Sequence, residues 1–296
     1  MSWRRRPTRR HLPDQDAFAH CAALLRGADK DRFLAALFAP SAQRGALHAL
    51  YAFNVEITRV REVVREPLAG EIRLQWWNDA IAGTGAGEVR SNPVAAALLA
   101  VVAQRRLSVE TLAALIAAHR FDLYSEPMRT LADFDDCGRA TSAALLALSA
   151  QILGAGGAPG LGDLTFQAGL AHATAGVLQA LPIHAARGQC YVPLEVLDRH
   201  HVRVEDIVAA QATPQLCAAL GEMRRKARTH LAEARRLMVD MPAEILPALL
   251  PLALVPPILD RMDHTKHDPF RPPSPAQWRR QWWLWRAARR PERIFT

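Results

Sequence analysis

Apolar residues recur along this chain at the spacing of an α-helix, not with the alternation of a β-strand. In residues 41–64 the apolar positions Leu47, Leu50, Phe53 and Ile57 follow the 3.6-residue period, which gives that segment one apolar face. Similar segments occur from end to end, and no alternating stretch of useful length lies between them. The pattern therefore predicts an all-α protein.

Proline and glycine residues divide the chain into predicted helices joined by short connections. These cover residues 14–25, 31–38, 41–64, 71–82, 93–104, 108–124, 131–153, 164–180, 204–211, 214–239, 245–261 and 276–290. Many helices with short connections predict one bundle around a central cavity. Residues 1–13 are rich in arginine and lack acids, so we expect a basic flexible tail ahead of a single domain over residues 14–296.

The charge of the chain restricts its partners. The formal net charge is +8, and only three of the 37 basic residues are lysines. The arginines are spread along the chain without a nucleic-acid-binding motif, so we expect no nucleic-acid partner. The four cysteines are far apart, which argues against a zinc site or a disulfide framework. The longest apolar run, Ile245 to Leu259, is short and rich in proline, so we expect no membrane-spanning helix.

Short motifs in a fixed order give the chain a family resemblance. Phe38-Ala39-Pro40 precedes Tyr51-Ala52-Phe53, and Asn92-Pro93-Val94 opens a later helix. The run from Arg187 to Pro193 reads RGQCYVP, and Arg261 to Phe270 closes the series. In this order the motifs resemble those of the squalene/phytoene synthase family over almost the whole chain. The resemblance implies an isoprenoid-synthase-like helical bundle around a central cavity.

The resemblance also implies two aspartate-rich motifs that face each other across the cavity and bind diphosphate through magnesium. Hard carboxylate oxygens suit Mg²⁺, and the metals neutralise the departing diphosphate. The first motif would follow Phe53 as CRxxDDxxD, and the matching positions run from Asn54 to Glu62. Thr58 and Arg59 occupy the places of the paired acids, so Glu62 alone remains.

The second motif, DVxED, would lie just ahead of the RGQCYVP run. The matching positions begin at Ala180 and end at His184, with Arg187 and Tyr191 following, and no Asp or Glu occurs between Asp163 and Glu195. A cavity without these acids should bind no metal. We therefore expect no catalytic residue, no metal and no cofactor.

The departures from the acidic motifs share a pattern of their own. The run Phe53-Asn54-Val55-Glu56 and the run Leu181-Pro182-Ile183-His184 resemble the complex I assembly factor branch of this family. That branch keeps the fold, lacks the acidic motifs and is needed to build respiratory NADH dehydrogenase. The resemblance implies a non-catalytic accessory protein whose partners are complex I subunits or assembly intermediates, with a lipid or prenyl chain in the cavity. It also implies a cytoplasmic protein with peripheral contact to the inner membrane, or a matrix-side location in a eukaryote.

An active enzyme is the alternative that the residues leave open. Arg59, Arg61 and Arg187 would then hold the diphosphates of two prenyl substrates that condense head to head, with Mg²⁺ as cofactor. Two local alternatives also remain open. Glu56, Arg59 and Glu62 form either an internal ion-pair network or a polar ligand site. His184 either binds an anionic group or is a satisfied cation at a helix end.

The last predicted helix combines tryptophan with arginine. Trp278, Trp282 and Trp285 share one stripe, and arginines flank it, as in helices that lie on anionic membranes. A stripe that packs on the bundle as a lid is the second interpretation. Two further clusters are expected to be structural. Asp122 pairs with Arg120, and the acids and histidines between Asp260 and Asp268 form a polar segment without a metal.

Overall fold

The computed structural model describes residues 15–64, 66–85, 87–264 and 267–296. The predicted basic tail lies outside the described residues. Within these ranges the chain is helical and contains no strand, which confirms the all-α prediction. The α-helices are α1 (Gln15–Ala28), α2 (Lys30–Ala36), α3 (Ser41–Thr58), α4 (Val60–Val63), α5 (Pro67–Ala82), α6 (Pro93–Arg105), α7 (Val109–Ala118), α8 (Leu131–Gly138), α9 (Ala144–Ile152), α10 (Leu161–Gln179), α11 (Leu181–Ala186), α12 (Leu194–Arg199), α13 (Val204–Val208), α14 (Pro214–Leu237), α15 (Leu246–Leu249), α16 (Val255–Met262) and α17 (Gln277–Arg289).

Two groups of packed helices form the bundle. Helix α1 packs against α3 and α6, while α10 packs along α14. The faces that meet are apolar: Leu47, Leu50 and Phe53 of α3 are fully buried, as the spacing of these residues predicts. Phe53 also meets the ring of Trp77 from α5 edge to face at 5.0 Å.

The predicted long helix over residues 41–64 is interrupted in the structure at Arg59. The hydroxyl of Thr58 donates hydrogen bonds to the carbonyls of Asn54 at 2.9 Å and Val55 at 3.1 Å. Such side-chain bonds compete with the helical backbone pattern and bend helices. The interruption separates α3 from α4 and places Glu62 on a new short helix.

A second interruption divides the helix predicted over residues 131–153. Residues Arg139–Ala143 form a π-helical turn between α8 and α9. Gly169 of α10 lies directly against this turn, where an added Cβ would stand 2.5 Å from the Cα of Ala143. The backbones of α10 and the π-turn therefore approach too closely for any side chain at position 169.

The stretch Ala243–Met262 is long and apolar enough to cross a membrane by length and composition. In the structure, however, 72% of its apolar window is buried inside the bundle. Its prolines fall in the first turn of successive short segments, where a missing N–H costs little. The stretch is longer than the sequence-based expectation had it, and in the structure it forms a proline-segmented part of the core.

Candidate functional site

The bundle contains a cavity of about 410 Å³ at the place that the family resemblance implies. Asn54 and Thr58 line it from α3, and Glu62 from α4. Ala180 and His184 line it from the junction of α10 and α11. Residues of the two degenerate motifs, more than a hundred positions apart in the chain, therefore meet at one cavity.

Glu62 connects the two motif segments directly. Its Oε1 accepts a hydrogen bond from Nη2 of Arg187 at 3.2 Å, and its Oε2 accepts one from Nε of Arg59 at 3.2 Å. Partial burial would raise the pKa of Glu62, but the hydrogen bonds from Arg187 and Arg59 outweigh it and keep that pKa below its ordinary value. The one carboxylate left from the first motif is thus charged and already neutralised by two guanidinium groups.

Magnesium does not fit this site. The described part of the chain contains no group of three or more His, Cys, Asp or Glu side chains able to hold a metal ion. Helix α10 begins at Leu161, three residues earlier than predicted, and so includes Asp163 in its first turn. At 1.5 Å per residue, however, Asp163 lies roughly 25 Å along the helix from Ala180. No carboxylate of α10 can therefore replace the missing second motif.

Tyr51, Glu56 and Arg59 lie outside the lining of this cavity. Tyr51 is buried beside a small neighbouring void. Glu56 is directed away from the cavity, because two residues along a helix correspond to a rotation of about 200° from Asn54. Arg59 reaches solvent, with 57% of its side chain exposed, and contacts the site only through Glu62. The ion pair predicted for Arg59 and Glu62 is confirmed, whereas Glu56 takes no part in it.

Asp122 has different partners from those predicted. Its carboxylate accepts a hydrogen bond from the hydroxyl of Tyr191 at 2.5 Å and lies 2.6 Å from Nδ1 of His119, while Arg120 makes no ion pair with it. Burial, then the charge and hydrogen bond of Asp122, raise the pKa of Tyr191 far above its ordinary value. Tyr191 therefore remains protonated and donates to Asp122. The predicted pairing with Arg120 is wrong because the helix ends at Ala118, which turns Arg120 toward solvent.

Two of the three histidines that line the cavity, His172 and His184, are neutral at physiological pH. Burial lowers the pKa of His184 to about 4, opposed by Asp122 and reinforced by Arg187. Burial, reinforced by Arg32, lowers the pKa of His172 to about 4 as well. His184 is therefore not the helix-end cation considered above. Its ring lies 4.2 Å from that of Tyr191, and its Nδ1 has no hydrogen-bond partner among the described residues.

Arg32 is a cavity residue that the sequence patterns did not single out. Its Nη1 lies 2.6 Å from the carboxylate of Asp29, and its Nη2 lies 3.1 Å from Nε2 of His172. Its guanidinium stands 5.8 Å from the centre of the Tyr51 ring. The spacing of Asp29 and Arg32, one helical turn apart, is a local signal for this pair, but His172 on α10 has no such signal.

The polar segment after α16 holds ion pairs in the structure. Arg228 of α14 donates hydrogen bonds to Asp260 at 3.0 Å and to Asp263 at 2.6 Å, and Arg224 donates to Asp263 at 2.5 Å. These acids therefore attach the segment to α14, in keeping with the expected structural role.

The tryptophan stripe of the last helix faces outward. Trp278, Trp282 and Trp285 are 64%, 48% and 48% exposed. The lid interpretation, in which this stripe packs on the bundle, is therefore wrong. Leu284 and Ala287 of α17 are buried in the bundle, and Trp283 packs against it partly buried.

An all-α bundle with its cavity between two motif-bearing helices defines the class of isoprenoid-synthase-like folds. The family model for squalene/phytoene synthase matches residues 25–286, so the chain belongs to the squalene/phytoene synthase family. The crystal structure of squalene synthase HpnC from Alicyclobacillus acidocaldarius superposes with a TM-score of 0.67 at 21% identity, covering 93% of this chain and 94% of that one.

Two curated relatives represent different branches of the family. NADH dehydrogenase (ubiquinone) complex I, assembly factor 6 from Rattus norvegicus is 27% identical over 257 residues, which cover 87% of this chain and 77% of the relative. The 15-cis-phytoene synthase of a Synechocystis strain is 26% identical over 208 residues, covering 66% of this chain and 60% of the relative. The similarity to the assembly factor thus extends over more of this chain.

Proposed function

We propose that this protein is a non-catalytic accessory factor that assists the assembly of respiratory complex I. One observation carries the proposal: at the place of the first metal-binding motif, Glu62 is neutralised by Arg59 and Arg187. The similarity to the rat assembly factor over 87% of this chain supports the same function.

The chemistry of prenyl transfer explains why this arrangement argues against catalysis. Loss of diphosphate from an allylic carbon leaves a carbocation, and divalent metals stabilise the charge that departs. Arg32, Arg61 and Arg187 line the cavity, and the carboxylates among its described lining residues are Glu62 and Asp122. Both carboxylates are engaged by neighbouring side chains. A cluster of Mg²⁺ ions would have to displace these partners and overcome the repulsion of the arginines.

We further propose a location and a ligand. The protein acts in the cytoplasm at the inner face of the membrane, or on the matrix side in a eukaryote, and contacts complex I subunits or assembly intermediates. The cavity wall includes Met128, Phe134, Leu145 and Val177 beside the polar groups, which suits one apolar chain of a lipid or isoprenoid.

A deletion strain of the source organism tests the assembly function. We expect the deletion to lower the amount and NADH oxidation activity of complex I, and the wild-type gene to restore both. Carotenoid and hopanoid precursors should keep their normal levels, because no synthase has been removed. A deletion strain with normal complex I would contradict the proposal.

Purified protein tests the absence of catalysis separately. It is incubated with farnesyl or geranylgeranyl diphosphate and Mg²⁺, and diphosphate release is measured beside the squalene synthase of Alicyclobacillus acidocaldarius as positive control. We expect no release above the rate without protein. Turnover comparable to that of the control would instead establish the head-to-head prenyltransferase.

A further inference from the structure

Helix α17 is held to the bundle by one face only. Leu284 and Ala287 are buried, and Arg280 forms an ion pair with Asp31 of α2. Trp283 is partly buried beneath the guanidinium of Arg261, 5.6 Å from the ring centre. These contacts fix the orientation of the helix and leave its other face to solvent.

The outward face carries a continuous aromatic stripe. Trp278, Trp282 and Trp285 recur at intervals of four and three residues, so they project within about 60° of one another. They are among the largest exposed apolar side chains of the described protein, and each has about half or more of its surface in contact with water. An exposed apolar patch of this kind indicates a surface that binds something.

The charges around the stripe identify what it binds. Arg279, Arg286 and Arg289 each place a guanidinium 5.1 Å from the centre of a tryptophan ring of the stripe. None of the three has a carboxylate partner among the described residues, and residues 276–291 contain no acid. The surface therefore combines exposed aromatic rings with positive charges that have no acidic partner. It complements a partner with negative charges at its surface and apolar groups just below them.

We propose that the stripe, together with these three arginines, docks the protein onto an anionic lipid bilayer. Tryptophan rings favour the depth of the headgroups, where one end is wet and the other apolar. Arginines beside them reach the lipid phosphates and form bidentate hydrogen bonds. A helix that presents tryptophans and arginines on one face lies flat in the membrane–water interface. This orientation fits α17, because its opposite face is attached to the bundle. The proposal stands on α17 alone and does not depend on the function of the cavity.

Cosedimentation of the purified full-length protein with vesicles tests the proposal. One set of vesicles contains phosphatidylcholine alone, and the other contains phosphatidylcholine mixed with phosphatidylglycerol. We expect binding to the anionic vesicles that weakens as salt increases, because the arginines act through charge. The variant Trp278→Ala/Trp282→Ala/Trp285→Ala should lower the partition coefficient by about tenfold or more.

A matched variant separates the stripe from exposed apolar residues in general. Leu68→Ala/Ile72→Ala/Val239→Ala removes three other exposed apolar side chains and should bind vesicles as the wild type does. Both variants should melt at the wild-type temperature, since all six side chains are exposed.

The proposal is overturned if anionic vesicles do not bind the wild type, if the tryptophan variant still binds them, or if both variants lose binding equally. The first result would favour docking of α17 to an acidic protein surface, and the second would place the vesicle contact outside the tryptophan stripe. A normal complex I phenotype would bear only on the assembly function.

Discussion

At the residue scale, Asp122 is the side chain on which the cavity wall depends most. Its carboxylate accepts the hydroxyl of Tyr191 and pairs with His119, and its backbone carbonyl accepts a hydrogen bond from Nε2 of Gln189 at 2.8 Å. It thus joins the turn after α7 to the segment after α11. Tyr191 in turn packs edge to face against Phe121 at 5.6 Å. One residue therefore joins the 3₁₀ turn Phe121–Leu123 to the connecting segment that follows α11.

Replacement of Asp122 by alanine should destabilise the protein by about 1–3 kcal/mol, because the buried hydroxyl of Tyr191 and Nδ1 of His119 lose their partner. Arg120→Ala is the control, since Arg120 is exposed and makes no ion pair with Asp122; it should change the free energy of unfolding by less than about 0.5 kcal/mol. Chemical denaturation with urea measures both variants. Equal effects of the two substitutions would restore the pairing of Asp122 with Arg120 that the sequence suggests.

The site was predictable only where its contacts are local. The pair of Arg59 and Glu62 follows from a spacing of three residues. The bond from Arg187 to Glu62 spans 125 positions, and the pair of Arg32 and His172 spans 140. Charge and spacing along the chain carry no information about such contacts. Only the family resemblance predicted that the two motif segments lie at one cavity. The bond from Tyr191 to Asp122 spans 69 positions and leaves no such signal, whereas the contact of His119 with Asp122 has the same three-residue spacing as Arg59 and Glu62.

At the element scale, the backbones of α10 and the π-turn Arg139–Ala143 approach each other closely. Gly169 permits it, because a Cβ there would stand 2.5 Å from both the N and the Cα of Ala143. Gly138, at the end of α8, meets Leu170 of α10 in the same way, with 2.6 Å to a methyl group. The π-turn carries Thr141 and Ser142 into the cavity lining, so this approach shapes the site.

Gly169→Ala should therefore destabilise the protein by about 1–3 kcal/mol, since backbone atoms cannot yield as a flexible side chain does. Gly176→Ala is the matched control in the same helix: nothing lies within 4 Å of its added Cβ, and alanine favours the helix by up to about 1 kcal/mol. Thermal unfolding of the two variants should thus shift in opposite directions. A Gly169→Ala variant as stable as the wild type would show that the helices separate at little cost.

The positions of the helices were more predictable than the points at which they are interrupted. Periodic apolar residues located most helices of the described chain, because burial of one face is a local pattern, but the short helices α11 and α12 were not predicted. The helix predicted from residue 71 begins four residues earlier, at Pro67, because proline is favoured in the first turn. The break at Arg59 follows the hydroxyl bonds of Thr58, and the π-turn lies against Gly169 of α10. Neither leaves a periodic signal.

At the scale of the whole molecule, buried charge joins the two groups of helices. Asp29 and Arg32 of α2 meet His172 of α10 beside the main cavity. Arg280 extends the connection to α17 through Asp31. Family synthases use metal ions at the centre of the bundle. Here ion pairs and neutral histidines occupy the same region, and their protonation states are part of what keeps the bundle folded.

Stability should therefore decrease as the pH falls from about 6.5 toward about 4. The pKa of His172 and that of His184 drop from 6.5 to about 4 in the folded protein, so in this window the unfolded chain binds more protons. Each histidine contributes at most about 1.4 kcal/mol per pH unit. His172→Gln/His184→Gln keeps hydrogen-bonding groups without titration and should reduce the slope of the profile above pH 4.5. The slope that remains comes from His48, His230 and His267, whose pKa values burial also lowers. Urea unfolding at each pH measures the free energy of unfolding. An unchanged dependence of this free energy on pH in the double variant would show that these histidines are charged when folded.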